Sequence, residues 1–218
     1  MHSGIVFDFD GVLYDSEKHW LEVENDYLLA RVPAWDVRDY KNIVGCSLSE
    51  AYDYLKLKGL NVGRDEYFAD YNTMALELYS NKAKPLKNVA LLLRELTMNK
   101  AKMAIASSSK RSWIEAALQS SELPAKIEVI VTVDDESVIN GKPSPDVYLR
   151  AAKLLNENPA DLLAIEDSSN GIDSAKSAGF YCLGLRNGFN GDQSLDRADD
   201  VIYGFDRESI EKIMRLIG

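Results

Sequence analysis

Short apolar runs recur along this 218-residue chain, and outside one long interruption they alternate with stretches of helical period. The runs are Ile5-Val6-Phe7, Met103-Ala104-Ile105-Ala106, Ile127 to Val131, Leu162 to Ile165, Tyr181 to Leu185 and Val201-Ile202. Each is short and lacks the polar alternation of a strand with one wet face, so each reads as a buried strand. Between them, Val89, Leu92, Leu93 and Leu96 share one helical face; Trp113, Ile114, Ala117 and Leu118 share another. Ser144-Pro145 fits an N-cap and first-turn pair for a helix carrying Val147, Tyr148, Ala151 and Leu154. Gly171 to Ala178 and Ile210 to Ile217 supply two more helices. Buried strands alternating with amphipathic helices predict an α/β fold, a Rossmann-like doubly wound parallel sheet covered on both faces.

The interruption runs from Ser16 to Lys84. Helical faces are marked by Trp20, Val23, Tyr27 and Ala30, then Ala51, Tyr54 and Leu55, then Tyr67, Tyr71, Met74 and Leu78. Ser47-Leu48-Ser49-Glu50 fits a capping box opening the second of these helices. Residues 16–84 are therefore expected to form an inserted all-α helical bundle, with 1–15 and 85–218 as the α/β core. An insert leaving the sheet just after Asp10 is expected over the strand ends, where open α/β sheets take their ligands. Its aromatics, among them Trp20, Tyr27, Trp35, Tyr40, Tyr52, Tyr54, Tyr67, Phe68 and Tyr71, read as bundle core before they read as a substrate platform.

Charge narrows the partners. With 35 acidic against 25 basic residues the formal net charge is −10, which argues against nucleic acid or an anionic membrane as a bulk partner. Cys46 and Cys182 are isolated and lack metal-type spacing, as in a reduced, cytoplasmic protein. No signal peptide precedes the first strand, and no apolar run reaches the roughly 20 residues of a membrane span. Monomer and dimer both remain open.

The chemistry lies at the ends of the apolar runs. Asp8-Phe9-Asp10-Gly11 follows the first run, and strand alternation sends both carboxylates to one side. Two acids held so close repel unless something uses them, and a hard divalent cation such as Mg²⁺ relieves the repulsion. Ser107-Ser108-Ser109 ends a second run, Lys142 follows a third within Gly141-Lys142-Pro143, and Glu166-Asp167-Ser168 ends a fourth. In a parallel sheet these ends share one edge, so acids, hydroxyls and an ammonium converge there. Phosphoryl transfer through a carboxylate needs such a set: a nucleophile, a metal, groups for the phosphoryl oxygens and an acid for the leaving alkoxide. Asp134-Asp135-Glu136 and Asp199-Asp200 read instead as solvated acidic loops.

This ordered set resembles the haloacid dehalogenase superfamily, and within it the β-phosphoglucomutase-like phosphatases. The likeness extends through Asp15-Ser16-Glu17, Gly141-Lys142-Pro143-Ser144-Pro145-Asp146 and Glu166-Asp167-Ser168-Ser169-Asn170-Gly171-Ile172 to Ala178-Gly179. The resemblance implies Asp8 as nucleophile and Asp10 as general acid/base. It implies Mg²⁺ held by the Asp8 carboxylate, the Asp10 carbonyl, Asp167 and Glu166. Ser107, Ser108 and Lys142 would bind the phosphoryl group of a small phosphorylated metabolite, and residues 16–84 would be a mobile cap, with Gly45 and Ser47 on its substrate side. In the mutases of this group a Gly-x-Ser in the cap is followed by an arginine for a second phosphate. Here Val44-Gly45-Cys46-Ser47-Leu48 sets leucine there, so hydrolysis is expected over mutase action. A cap histidine often stands where this chain has Trp20; His19 lies one place earlier and reads as an exposed helix-start residue. A receiver-like or metabolite-sensing phosphoprotein is the non-enzymatic alternative, and receivers lack both the insert and the need for Asp10.

Overall fold

The computed structural model describes residues 1–218 except 44–47, 122, 124–126, 128 and 218. The chain forms two compact units, residues 1–15 with 84–218, and residues 16–83. Lys84 falls with the first, its backbone N–H donating to Asp15 Oδ1 at 2.7 Å.

The first unit is built on six strands: β1 (Gly4–Phe7), β2 (Lys102–Ser107), β3 (Val129–Thr132), β4 (Leu162–Glu166), β5 (Tyr181–Leu185) and β6 (Asp200–Ile202). Their order is β3-β2-β1-β4-β5-β6 and every pairing is parallel. This is a doubly wound α/β sheet, and its order reverses between β1 and β4, the switch point where such sheets bind ligands. Phe7 sits level with Ile105 of β2 and Ile165 of β4. The residues just past these three therefore emerge side by side.

Among the described residues this unit carries the α-helices α4 (Val89–Met98), α5 (Arg111–Ser120), α6 (Asp146–Leu155), α7 (Ser169–Ser177) and α8 (Arg207–Leu216). On one face of the sheet, Val6, Ala104, Val131 and Ala164 pack with Val147, Ala151 and Tyr148 of α6 and Ile172 and Ala175 of α7. The start of α6 differs from the expectation. Pro145 takes the cap position, and Ser144 Oγ donates to the Asp146 carboxylate at 2.6 Å instead of capping a backbone N–H.

The second unit holds α1 (Glu17–Arg31), a 3₁₀ segment (Val37–Asn42), α2 (Leu48–Leu57), α3 (Arg64–Glu77) and a π-helical turn (Leu78–Lys82). Its core joins Tyr27, Leu28, Val32, Trp35, Ile43, Ala51, Tyr52, Leu55 and Tyr67. Tyr40, Tyr54, Phe68 and Tyr71 pack against that core from partly buried positions. On α1 the buried face is Trp20, Tyr27 and Leu28, while Ala30, expected inside, is exposed and His19 is half-buried. The Ser47 capping box, Gly45 and Ser47 lie outside the described residues. Among the described residues no helix is long and apolar enough to cross a membrane.

Candidate active site

Past the end of β1 the Asp8 N–H still donates to the Ile165 carbonyl of β4, at 3.0 Å. That bond holds the Asp8 side chain beside Glu166 and Asp167. Oxygens of these three buried carboxylates lie within 4.8 Å of one another. Lys142 reaches the cluster from the β3–α6 loop: its Nζ donates to Asp8 Oδ1, and to Glu166 Oε1 at 2.5 Å. The loop is braced by Asp146, whose Oδ2 accepts from the Ile139 and Asn140 N–H groups at 3.2 and 3.0 Å.

Glu166 is fully enclosed. Its Oε1 also accepts from Tyr148 Oη at 2.8 Å, and its Oε2 from Ser168 Oγ at 3.3 Å. Ser168 caps α7 by accepting from the Gly171 N–H at 3.1 Å. A Cβ on Gly171 would stand 1.9 Å from Glu166 Oε2, so only glycine lets the carboxylate lie against this helix. Gly11, at φ +73°, makes the matching approach at the end of β1: a Cβ there would stand 2.0 Å from Asp167 Oδ2.

The cluster carries excess negative charge. Burial raises the Asp8 pKa well above the usual carboxylate range; Lys142 opposes this, and Glu166 and Asp10 add to it. Burial also works against the Lys142 ammonium, but Asp8 and Glu166 outweigh it and hold its pKa above the ordinary lysine value. Three buried carboxylates thus face one ammonium. An all-oxygen donor set with unbalanced charge fits a hard divalent cation of the Mg²⁺ type. Burial keeps the Tyr148 phenol well above its normal pKa, so it remains a donor.

Asp10 is half-buried, and its Oδ2 accepts from Ser109 Oγ at 2.6 Å. Ser107 is buried at the end of β2, where its Oγ accepts from the Ser109 N–H at 3.0 Å; Ser108 is exposed beside it. The structure thus brings Asp8, Lys142, Glu166 and Asp167 into one cluster. It sets Asp10, Ser107 and Ser108 at the same sheet edge.

Four contributors were not anticipated as site residues. Tyr148 has core periodicity, which hides where its hydroxyl points. Ser109 sits in a serine triplet whose members the sequence does not distinguish. Asn187 and Asn190 donate to the Asp167 carboxylate and carbonyl from the loop after β5, bonds that carry no local signal in the sequence. The acidic loops are solvated as expected, with Asp134, Glu136, Asp199 and Asp200 exposed and Asp135 half-buried, and several of these acids also hold partners. Asp134 accepts from the Arg111 N–H at 3.3 Å, and Asp135 accepts from the Thr132 N–H at 3.0 Å and pairs with the Arg111 guanidinium. Asp199 pairs with Lys176 and accepts from the Cys182 N–H at 2.7 Å. Asp200 pairs with Lys212. These acids are spent on structure.

A doubly wound sheet with a carboxylate–lysine cluster at its switch point defines a class of α/β proteins with an acidic, lysine-braced site at the strand ends. The chain belongs to the haloacid dehalogenase-like hydrolases, whose family pattern matches residues 5–185. It is 32% identical to YhcW of Bacillus subtilis (strain 168), over 88% of this chain and 86% of that protein. It is 28% identical to the β-phosphoglucomutase of the same organism, over 84% and 83%. It is 29% identical to the validoxylamine A 7'-phosphate phosphatase of Streptomyces hygroscopicus subsp. limoneus, over 85% and 86%. Among solved structures, CbbY from Rhodobacter sphaeroides superposes with a TM-score of 0.80 at 22% identity, covering 94% of this chain and 95% of that one.

Proposed function

We propose that the chain is a Mg²⁺-dependent phosphatase that hydrolyses a small phosphomonoester, a sugar phosphate first, through an aspartyl-phosphate on Asp8. The observation that carries this reading is the Asp8–Lys142–Glu166–Asp167 cluster at the switch point, with Asp10 on the same strand extension.

In this reading Asp8 attacks phosphorus, its P–O bond forming as the bond to the leaving alkoxide breaks. Asp10 gives the alkoxide its proton, then takes one from the water that cleaves the aspartyl-phosphate. Lys142, Ser107 and the amides around Ser108 neutralise and orient the phosphoryl oxygens. Asp8, Asp167 and the Asp10 carbonyl, with Glu166, would hold the cation, which when bound offsets charge on the carboxylate and the transferring group. The helical unit supplies selectivity, with Gly45 and Ser47 as its substrate-side candidates. The same reading sets the enzyme in the cytoplasm, acting on a phosphorylated metabolite, with no nucleic acid or membrane as partner.

The relatives divide between phosphatase and mutase, and Leu48 favours the phosphatase. The test is a panel of phosphorylated metabolites with Mg²⁺, scored for both phosphate release and isomerisation. Phosphate release that disappears in Asp8→Asn is the expected result. Isomerisation with little release would replace the reading by the mutase; equal release from wild type, Asp8→Asn and Asp10→Asn would reject the mechanism.

A further inference from the structure

The loop after β5, Arg186-Asn187-Gly188-Phe189-Asn190, places two side-chain amides on Asp167. Asn187 Nδ2 donates to Asp167 Oδ2 and to the Gly11 carbonyl, both at 2.8 Å. Its Oδ1 accepts from the Phe189 and Asn190 N–H groups at 2.8 and 3.1 Å. With donors and acceptors on both ends, the orientation of the amide is fixed. Asn190, itself buried, holds the main chain of the same acid: its Nδ2 donates to the Asp167 carbonyl at 2.6 Å and the Leu185 carbonyl at 2.8 Å. The Arg186 guanidinium holds the Asn190 carbonyl at 2.6 Å.

We infer that Asn187 is a positioning residue for the cation site: it fixes the Asp167 carboxylate and ties it to the Gly11 turn. The inference rests on the metal-site reading above. A carboxylate gripped on one oxygen presents the other in one direction. Mg²⁺ tolerates little deviation from octahedral geometry, so a freely rotating carboxylate would bind it less well. Residues that orient metal ligands commonly matter about tenfold to a hundredfold in affinity. The position of Asn187 suits that role because one amide reaches both chain segments the metal site needs. The turn carrying Gly11 follows Asp10, and Asp167 follows β4. Gly11 makes the contact possible, since a Cβ there would stand 2.9 Å from Asn187 Nδ2 as well.

The bland alternative is that Asn187 only shapes its own loop through Oδ1. Asn187→Ser separates the two, because a serine hydroxyl can accept from the N–H two residues on but is too short to reach Asp167. The measurement is calorimetric titration of the full chain with Mg²⁺ in the absence of substrate, with melting in a chelator to confirm folding. The expected result is affinity weakened about tenfold or more in both Asn187→Ala and Asn187→Ser, with metal-free melting points near wild type. Wild-type affinity in either variant overturns the inference. Asp167→Asn runs in parallel: if it keeps Mg²⁺ affinity, the metal-site reading fails and takes the inference with it. If it loses affinity while Asn187→Ala does not, the inference alone fails.

Discussion

The edge of the sheet and the interior of the helical unit both hold polar groups away from water, by different means. At the sheet edge each buried acid meets a placed donor: Lys142 is shared by Asp8 and Glu166, Tyr148 adds a second to Glu166, and Asn187 serves Asp167. In the helical unit the polar groups sit among rings. Trp20 stacks on Tyr71 with centroids 5.0 Å apart and planes 14° from parallel. Glu24 has its pKa raised by burial, and the Tyr40 and Tyr71 hydroxyls oppose the shift. A set of carboxylates held by placed donors yet outnumbering the one ammonium is suited to bind a further positive charge. A half-buried carboxylate among phenols is suited to packing, and it carries a cost in free energy when ionised.

Changes at the sheet edge should therefore remove chemistry, and the largest should come from Asp8. Asp8→Asn is expected to lower phosphate release by about four orders of magnitude, because the proposed mechanism gives the covalent intermediate to Asp8 alone. Folding, followed by circular dichroism, should survive. Lys142→Met comes next, at about a hundredfold to a thousandfold in kcat, since in the proposed mechanism it removes the ammonium that neutralises the transferring oxygens. Retention of full activity in Lys142→Met would end the contrast between the two regions.

That contrast also decides what was legible in the sequence. Strand register dictates where a strand-end residue goes: with Phe7 level with Ile105 and Ile165, Asp8, Ser107 and Glu166 must emerge on one edge. Chain order and six apolar runs therefore carried the sheet and the identities at the cluster. Side chains that act from a distance were not legible. Tyr148 lies within α6 at core spacing, and nothing local says its hydroxyl meets Glu166. Asn187 lies twenty positions from the acid it grips, beyond α7 and β5. In the helical unit, helix existence followed from period, but which face turns inward depends on the packing of neighbours. On α1 that face includes Leu28 and leaves Ala30 outside.

Smaller changes sharpen the comparison. Gly171→Ala would set a Cβ 1.9 to 2.1 Å from the Glu166 carboxylate oxygens. It should cost about 1–3 kcal/mol by overpacking, read as an earlier denaturant midpoint, and should lower Mg²⁺ affinity in the same variant. Tyr148→Phe removes one donor to a buried acid that keeps Lys142. A stability loss of about 1–3 kcal/mol is expected, with activity reduced far less than in Lys142→Met. An unchanged midpoint would mean that the phenol is not a needed partner of Glu166.

The smallest effect should come from the helical unit and should depend on pH. Burial raises the Glu24 pKa above the ordinary glutamate value of 4.5, and the Tyr40 and Tyr71 hydrogen bonds only partly offset it. A carboxyl group with a raised folded pKa favours the folded state most when protonated. Its contribution therefore falls as pH rises from the unfolded value through the folded one, and the deficit is complete above the folded pKa. Glu24→Gln keeps a hydrogen-bonding side chain of similar size and removes the titration. At neutral pH the variant is expected to melt about 2–4 °C above wild type, and the difference should shrink as pH is lowered toward 4.5. Phosphate release should change little, since the gain belongs to packing. A variant that melts lower at neutral pH, or a gap that widens on acidification, would show that the Glu24 carboxylate is a charge the helical unit needs, like those at the sheet edge.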